Sequence, residues 1–146
     1  LTAGAFGLVI ANNASISGAE GGCQAEVGSA AAMSAAALVL AAGGTPFQAS
    51  QAICFIIKNM LGLICDPVAG LVEVPCVKRN AMGASYAFIA ADMALAGIES
   101  KIPVDEVIDA MYQVGVSMPT AFRETAEGGL ATTPTGRKLS KEIFGD

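Results

Sequence analysis

Histidine is absent from these 146 residues. No imidazole base and no histidine zinc ligand can therefore come from this chain. Charge is scarce as well: 14% of residues are charged, against roughly 25% in ordinary domains. With 53% hydrophobic residues, that is the opposite of a disordered tail, which needs low hydrophobicity and high charge. Cations are fewest of all. Eight Lys and Arg stand against 13 Asp and Glu, for a net charge of −5 and a pI near 4.6. A chain so poor in positive charge has little with which to neutralise nucleic-acid phosphates, so no nucleic-acid partner is expected.

What the chain has in excess is small residues, 28 Ala and 17 Gly. Density of that kind predicts helices packed close together. The expected fold is all-α, a compact bundle of small-residue-rich helices with cysteine-bearing loops, within one domain of 14.6 kDa. A mean hydropathy of +0.58 raises the question of a membrane. Residues 27–44 form an 18-residue run without charge, a marginal length for a span. The run is mostly Ala, Gly and Ser, and no Lys or Arg clusters beside it. It reads as a buried helix of a soluble core, although small-residue helices also pack membrane bundles. Residues 1–11 are apolar but lack a basic leader and an initiator Met, so no signal peptide is expected. Opening on Leu-Thr-Ala-Gly, the chain reads as a piece of something longer. Its first 57 residues carry two charges, Glu20 and Glu26, and a stretch so apolar needs neighbours to cover it.

Helix punctuation is clear in places. Thr45 is placed as an N-cap, Pro46 as the first helical residue and Gln48 as the other half of a capping box. That helix runs through Phe47, Ile53, Ile56, Ile57 and Met60 to Gly62. Residues 80–96 read as another helix ending at Gly97. Pro103 opens a third, with Val104, Val107, Ile108, Met111 and Val114 on one face, Asp105, Glu106 and Asp109 on the other, and Gly115 as its stop. A short helix is expected from Pro119 to the Gly128–Gly129 pair, and a last one over 136–144. Residues 12–22 are turn-rich, and residues 65–76, with two prolines and a Val-Glu-Val alternation, read as an ordered loop or short hairpin.

Four cysteines without a signal peptide point to a reducing, cytoplasmic setting and not to a disulfide framework. Cys54 lies mid-helix among large apolar residues and reads as a buried structural thiol. Cys23, Cys65 and Cys76 each stand at a turn or loop edge. They are either ordinary free thiols or a metal set. Zinc would need a fourth ligand, and the wide spacing matches no zinc finger. An iron–sulfur cluster suits a thiolate-only set better. Three protein ligands on a 4Fe–4S cluster leave one iron open to act as a Lewis acid on a substrate. An electron-transfer module would show a fourth cysteine in a ferredoxin-like run, and none is present.

The strings around these residues are specific. Residues 17–28 (SGAEGGCQAEVG) resemble the signature of iron–sulfur-dependent L-serine dehydratases. So do residues 65–76 (CDPVAGLVEVPC), Arg79-Asn80-Ala81, and residues 123–131 (RETAEGGLA). The resemblance spans nearly the whole chain and is to the C-terminal half of the α chain of the two-subunit type, with an upstream half of the catalytic domain missing. It implies an enzyme that converts L-serine to pyruvate and ammonia without pyridoxal phosphate. It also implies Cys23, Cys65 and Cys76 as ligands of a 4Fe–4S cluster, a β subunit as partner, and a possible homo-oligomer. L-threonine and L-cysteine remain alternative substrates. Some single-chain members end in a cysteine shortly after the Gly-Gly-Leu-Ala string; this chain continues as Thr132-Thr133-Pro134, so water, substrate or another group is expected on the fourth iron.

The reaction is a β-elimination, which needs a base for the Cα proton and help for a poor leaving group. Glu20 and Glu26 flank a ligand and are candidates for the base if buried. The competing reading has them bonded to the backbone of the cysteine loop, with an imidazole supplied from outside this chain. Lys78 and Arg79 are the nearest cations to Cys76 and could hold the substrate carboxylate, or could be a solvated pair at a helix start. Asn80 could cap that helix or touch substrate. Ser15 and Ser17 read as turn residues.

Overall fold

The computed structural model describes residues 1–145. Its α-helices are α1 (Thr2–Asn13), α2 (Gly18–Gly21), α3 (Ser29–Ala41), α4 (Pro46–Met60), α5 (Cys76–Leu95), α6 (Val104–Ser117) and α7 (Pro134–Phe144). A π-helical turn at Gln24–Gly28 leads into α3, and 3-10 turns form at Val68–Gly70, Thr120–Phe122 and Gly129–Thr132. No strand forms among the described residues; an isolated parallel bridge joins Cys65 to Arg123. The all-α expectation holds.

Helix α3 is the axis of the bundle, with α1, α4 and α5 packed around it and α6 against α4. A helix apolar on every side has to be enclosed. Ala31, Ala32, Ala35, Ala36 and Val39 are buried in α3, and α5 answers with Gly83, Ala87, Ala90, Ala91 and Ala94. Methyl-sized side chains let the helix axes approach closely. A Cβ on Gly83 would lie 3.0 Å from Val27 Cγ1, in the turn that leads into α3. Bulk comes from α4, whose Ile53, Phe55, Ile56, Ile57 and Met60 are buried, each contributing about 1.5–3 kcal/mol on removal from water. Residues Gln24–Ala41 are long and apolar enough to cross a membrane, yet 56% of that stretch is buried inside the fold, as a core helix would be.

Several boundaries differ from those read in the sequence. Helix α5 begins at Cys76, not Asn80, directly after Pro75, a residue with no N–H to lose at a helix start. Asn80 therefore lies inside the helix, where its Nδ2 donates to the Cys76 carbonyl at 3.0 Å. Helix α6 continues through Gly115 to Ser117. That glycine is a contact point and not a stop: a Cβ there would stand 3.2 Å from Gly21 Cα and from Gln24 Nε2. The helix expected after Pro119 is instead a pair of 3-10 turns, because the chain between them runs alongside Cys65. Residues 65–76 form no hairpin but an ordered loop that turns at Val68–Gly70 and again at 72–75 before feeding α5.

The α4 cap is built as the sequence predicts. Thr45 Oγ1 accepts from Gln48 N at 3.2 Å, and Gln48 Oε1 accepts from Thr45 N at 2.9 Å. Gln48 Nε2 donates to the Ala94 carbonyl at 3.1 Å, tying the start of α4 to the end of α5. Thr45→Ala removes the cap at an exposed position and is expected to cost about 1 kcal/mol. The check is a lower urea midpoint with an unchanged denaturant slope.

Candidate metal centre

Each of three cysteines is delivered by a different local device. Cys23 follows Gly22, whose φ is +75°, a conformation that favours glycine. A Cβ at Gly22 would also stand 2.7 Å from Met118 Sδ and 2.9 Å from the Leu63 carbonyl oxygen. The next residue, Gln24, is buried and bonded on every side. Its backbone N donates to Leu63 O at 2.9 Å. Its Oε1 accepts from Gly62 N at 3.0 Å, and its Nε2 donates to Met111 O at 2.9 Å. Gln24 thus ties the Cys23 turn to the loop before Cys65 and to α6. Cys65 is held by the bridge: its N donates to Phe122 O at 2.8 Å, and its carbonyl accepts from Glu124 N at 2.9 Å. Cys76 is the first residue of α5.

These devices bring the Sγ atoms of Cys23, Cys65 and Cys76 to within 4.8 Å of one another, all in buried residues. Cys54, also buried, lies in α4 outside this group, as the sequence suggested. Three sulfur donors in a chain without histidine suit a soft, thiolate-bound metal or an iron–sulfur cluster. Burial pushes the Cys65 thiol well above its ordinary value of 9.0, and the neighbouring Cys23 adds to it. Burial, then Cys23, push Cys76 the same way. Without a metal such thiols keep their protons; a bound metal would displace them.

An ion pair underlies the triad. Asp66, buried, places Oδ1 2.6 Å from Arg79 Nη1. Its Oδ2 accepts from Leu130 N at 2.7 Å. Gly129, at φ +61°, leaves room for this carboxylate, which a Cβ there would strike. The same Nη1 donates to the Ile64 carbonyl at 2.9 Å and reaches Cys23 Sγ at 3.8 Å. Burial pulls the Arg79 pKa down, but the bond to Asp66 and its charge outweigh this and push it up, so the guanidinium stays charged.

The remaining candidates are scattered around this core. Lys78 is exposed and donates to the Glu73 carbonyl at 2.7 Å. With Arg79, Met82 and Tyr86 it lines an open cavity of about 520 Å³. Glu20 is exposed and accepts from Ser15 Oγ at 2.5 Å. Ser15 Oγ in turn accepts from Ser17 N at 3.1 Å, a turn contact as expected. Glu26 is exposed too, with Oε2 2.8 Å from the point a Gly18 Cβ would occupy. Cys65 Sγ lies 3.4 Å and Glu124 Oε2 3.5 Å from that same point. Glu26 and Glu124 therefore converge beside the triad. Sequence reasoning missed Glu124, Asp66 and Gln24. Asp66 carried a faint signal, an acid directly after a candidate ligand; Glu124 carried its φ of +68°, which no residue type announces.

A family model described as "Serine dehydratase alpha chain" matches residues 1–131. The chain is 76% identical over 144 residues to "Probable L-serine dehydratase, alpha chain" of Bacillus subtilis, covering 99% of this chain and 48% of that protein. It is 57% identical over 144 residues to "L-serine dehydratase, alpha chain" of Peptoniphilus asaccharolyticus, covering 99% and 49% respectively. To "L-serine dehydratase" of Streptomyces coelicolor it is 51% identical over 132 residues, covering 90% of this chain and 29% of the relative. The chain thus spans about half the length of these two α chains.

Two outcomes follow for the metal-free protein. Asp66→Ala strands the Arg79 charge; with that side chain 20% exposed, the loss is expected at the low end for a broken buried pair, about 3 kcal/mol. Urea unfolding checks it, and a loss below about 0.5 kcal/mol, the level of an ordinary surface substitution, would contradict it. The thiols of Cys54, Cys65 and Cys76 are all raised above 9.0. The folded state holds these protons longer than the unfolded state does. Their stabilisation is therefore complete below about pH 9 and is lost as pH climbs through the raised values. The Tm should be flat up to about that pH and fall beyond it; a rise there would be the wrong sign.

Proposed function

The chain belongs to the serine dehydratase alpha chain family, and from that premise we propose that it forms part of an L-serine ammonia-lyase producing pyruvate and ammonia. The observation that carries the reading is the convergence of Cys23, Cys65 and Cys76, from three separate segments, on one buried point. We assign them as ligands of a 4Fe–4S cluster. When bound, a cluster held by three cysteines supplies an iron without a protein ligand, an electrophile for the substrate hydroxyl.

The rest of the chemistry falls to side chains. Elimination requires loss of the Cα proton and departure of hydroxide from Cβ; the aminoacrylate formed tautomerises to an imine, which water hydrolyses. Of the carboxylates near the sulfurs, Glu26 and Glu124 stand beside Cys65, whereas Glu20 is engaged by Ser15. With no histidine in the chain, an imidazole base would come from the remainder of the α chain or from a partner. Lys78 is the freer cation for the substrate carboxylate: it is exposed and bonds only the Glu73 carbonyl among the described residues, whereas Arg79 Nη1 is engaged by Asp66 and the Ile64 carbonyl. Asn80, bonded to the Cys76 carbonyl, steadies the turn that carries a ligand. A β chain is the expected partner, in keeping with the "alpha chain" in the relatives' names, and a reducing cytoplasm the expected compartment.

The test uses the complete enzyme, α and β chains together, reconstituted without oxygen. Coupled pyruvate detection should favour L-serine over L-threonine and L-cysteine, and air should abolish the activity. Cys23→Ala, Cys65→Ala and Cys76→Ala should each lose iron and turnover, while Cys54→Ala keeps both. A normal iron content in any of the first three would remove that residue from the ligand set.

A further inference from the structure

The sequence offers Arg79 as a grip for the substrate carboxylate, but its surroundings argue for a different task. A carboxylate clamp presents a free guanidinium fork to an incoming ligand. Here Nη1 faces inward, toward Asp66 Oδ1 at 2.6 Å, the Ile64 carbonyl at 2.9 Å and Cys23 Sγ at 3.8 Å. Asp66 cannot easily release it. That carboxylate is buried, and its other oxygen is taken by Leu130 N. Arg79 also rides on α5 one turn beyond Cys76. A single nitrogen therefore links the backbone before Cys65, the sulfur of Cys23 and the helix bearing Cys76.

We propose that Arg79, locked by Asp66, is a positioning residue of the metal centre that donates a hydrogen bond to the Cys23 sulfur, and not the residue that binds the substrate carboxylate. This rests on the reading of the three cysteines as cluster ligands. Two physical consequences follow. Partners of metal ligands hold them in place, and losing one weakens metal binding by about 10- to 100-fold. A positive donor at a ligating sulfur also favours the reduced, more negative state of a cluster, so removing it lowers the reduction potential.

The experiment uses the anaerobic α–β enzyme with its iron reconstituted. Wild type, Arg79→Gln, Arg79→Lys and Asp66→Asn are compared by loss of 400 nm absorbance under a chelator, by midpoint potential, and by KM and kcat for L-serine; circular dichroism monitors folding. Arg79→Gln should lose its cluster about tenfold faster or more, with a more negative potential. Asp66→Asn should also lose its cluster faster, because it frees the guanidinium without deleting it, but its potential should not fall, since the substitution removes a negative charge. Arg79→Lys keeps the charge but carries it on a shorter side chain that falls short of the Nη1 position; it should restore part of the potential and little of the retention, and it serves if Arg79→Gln does not fold. Wild-type cluster lifetime and potential in Arg79→Gln, with KM raised more than tenfold and kcat unchanged, would return Arg79 to the substrate and overturn the proposal. A wild-type enzyme that takes up no iron would overturn the cluster reading itself, and the proposal with it.

Discussion

Removing a carboxylate from water costs several kcal/mol unless other groups replace the solvent, and the site is organised around meeting that demand for Asp66. Its two oxygens are taken by Arg79 and by the amide of Leu130. Three segments distant in sequence meet there: the cysteine loop, the second turn of α5 and the turn before α7. Because Cys65 precedes Asp66 and Cys76 opens the helix carrying Arg79, partnering this one charge also sets the places of two of the three sulfurs. Through Arg79 Nη1 it touches the third.

The bundle provides the rigid frame on which this pair acts. Alanine and glycine faces let α3 and α5 approach closely while α4 supplies the bulk, so the ends of helices meet within a short distance. Glycine is used where backbones must nearly touch. Gly22 fits between Met118 and Leu63, and Gly115 lets α6 lie on Gly21. Gln24 then connects these contacts by three hydrogen bonds around Cys23. A buried polar side chain so fully bonded holds its neighbours to one arrangement, which is what a multi-cysteine centre requires of its loops.

The electrostatics of the site are mixed in sign, and this bears on function. Arg79 brings positive charge to the inner side of the sulfurs, while Glu26 and Glu124 stand at the side of Cys65 near Gly18. Thiols that burial keeps protonated in the metal-free protein are suited to a metal that displaces those protons. Charge of one sign thus lies on the inner side of the sulfurs and charge of the other beside Cys65.

Much of this was legible before any coordinates. The helical class followed from small-residue content and helical spacing, the α4 cap from Thr45-Pro46 and Gln48, and the singling out of Cys23, Cys65 and Cys76 from Cys54 from their places at turns and loop edges. Local chemistry encodes these features, so local strings reveal them. The structure alone decided what depends on distant partners. It started α5 at Cys76 and carried α6 past Gly115. It bound Asp66 to Arg79 and Leu130, set Gln24 as a three-way tie, and brought Glu124 beside Cys65. For Gly115, Asp66, Gln24 and Glu124 the deciding partner is distant in the chain, or the deciding quantity is a backbone angle that side-chain identity leaves open.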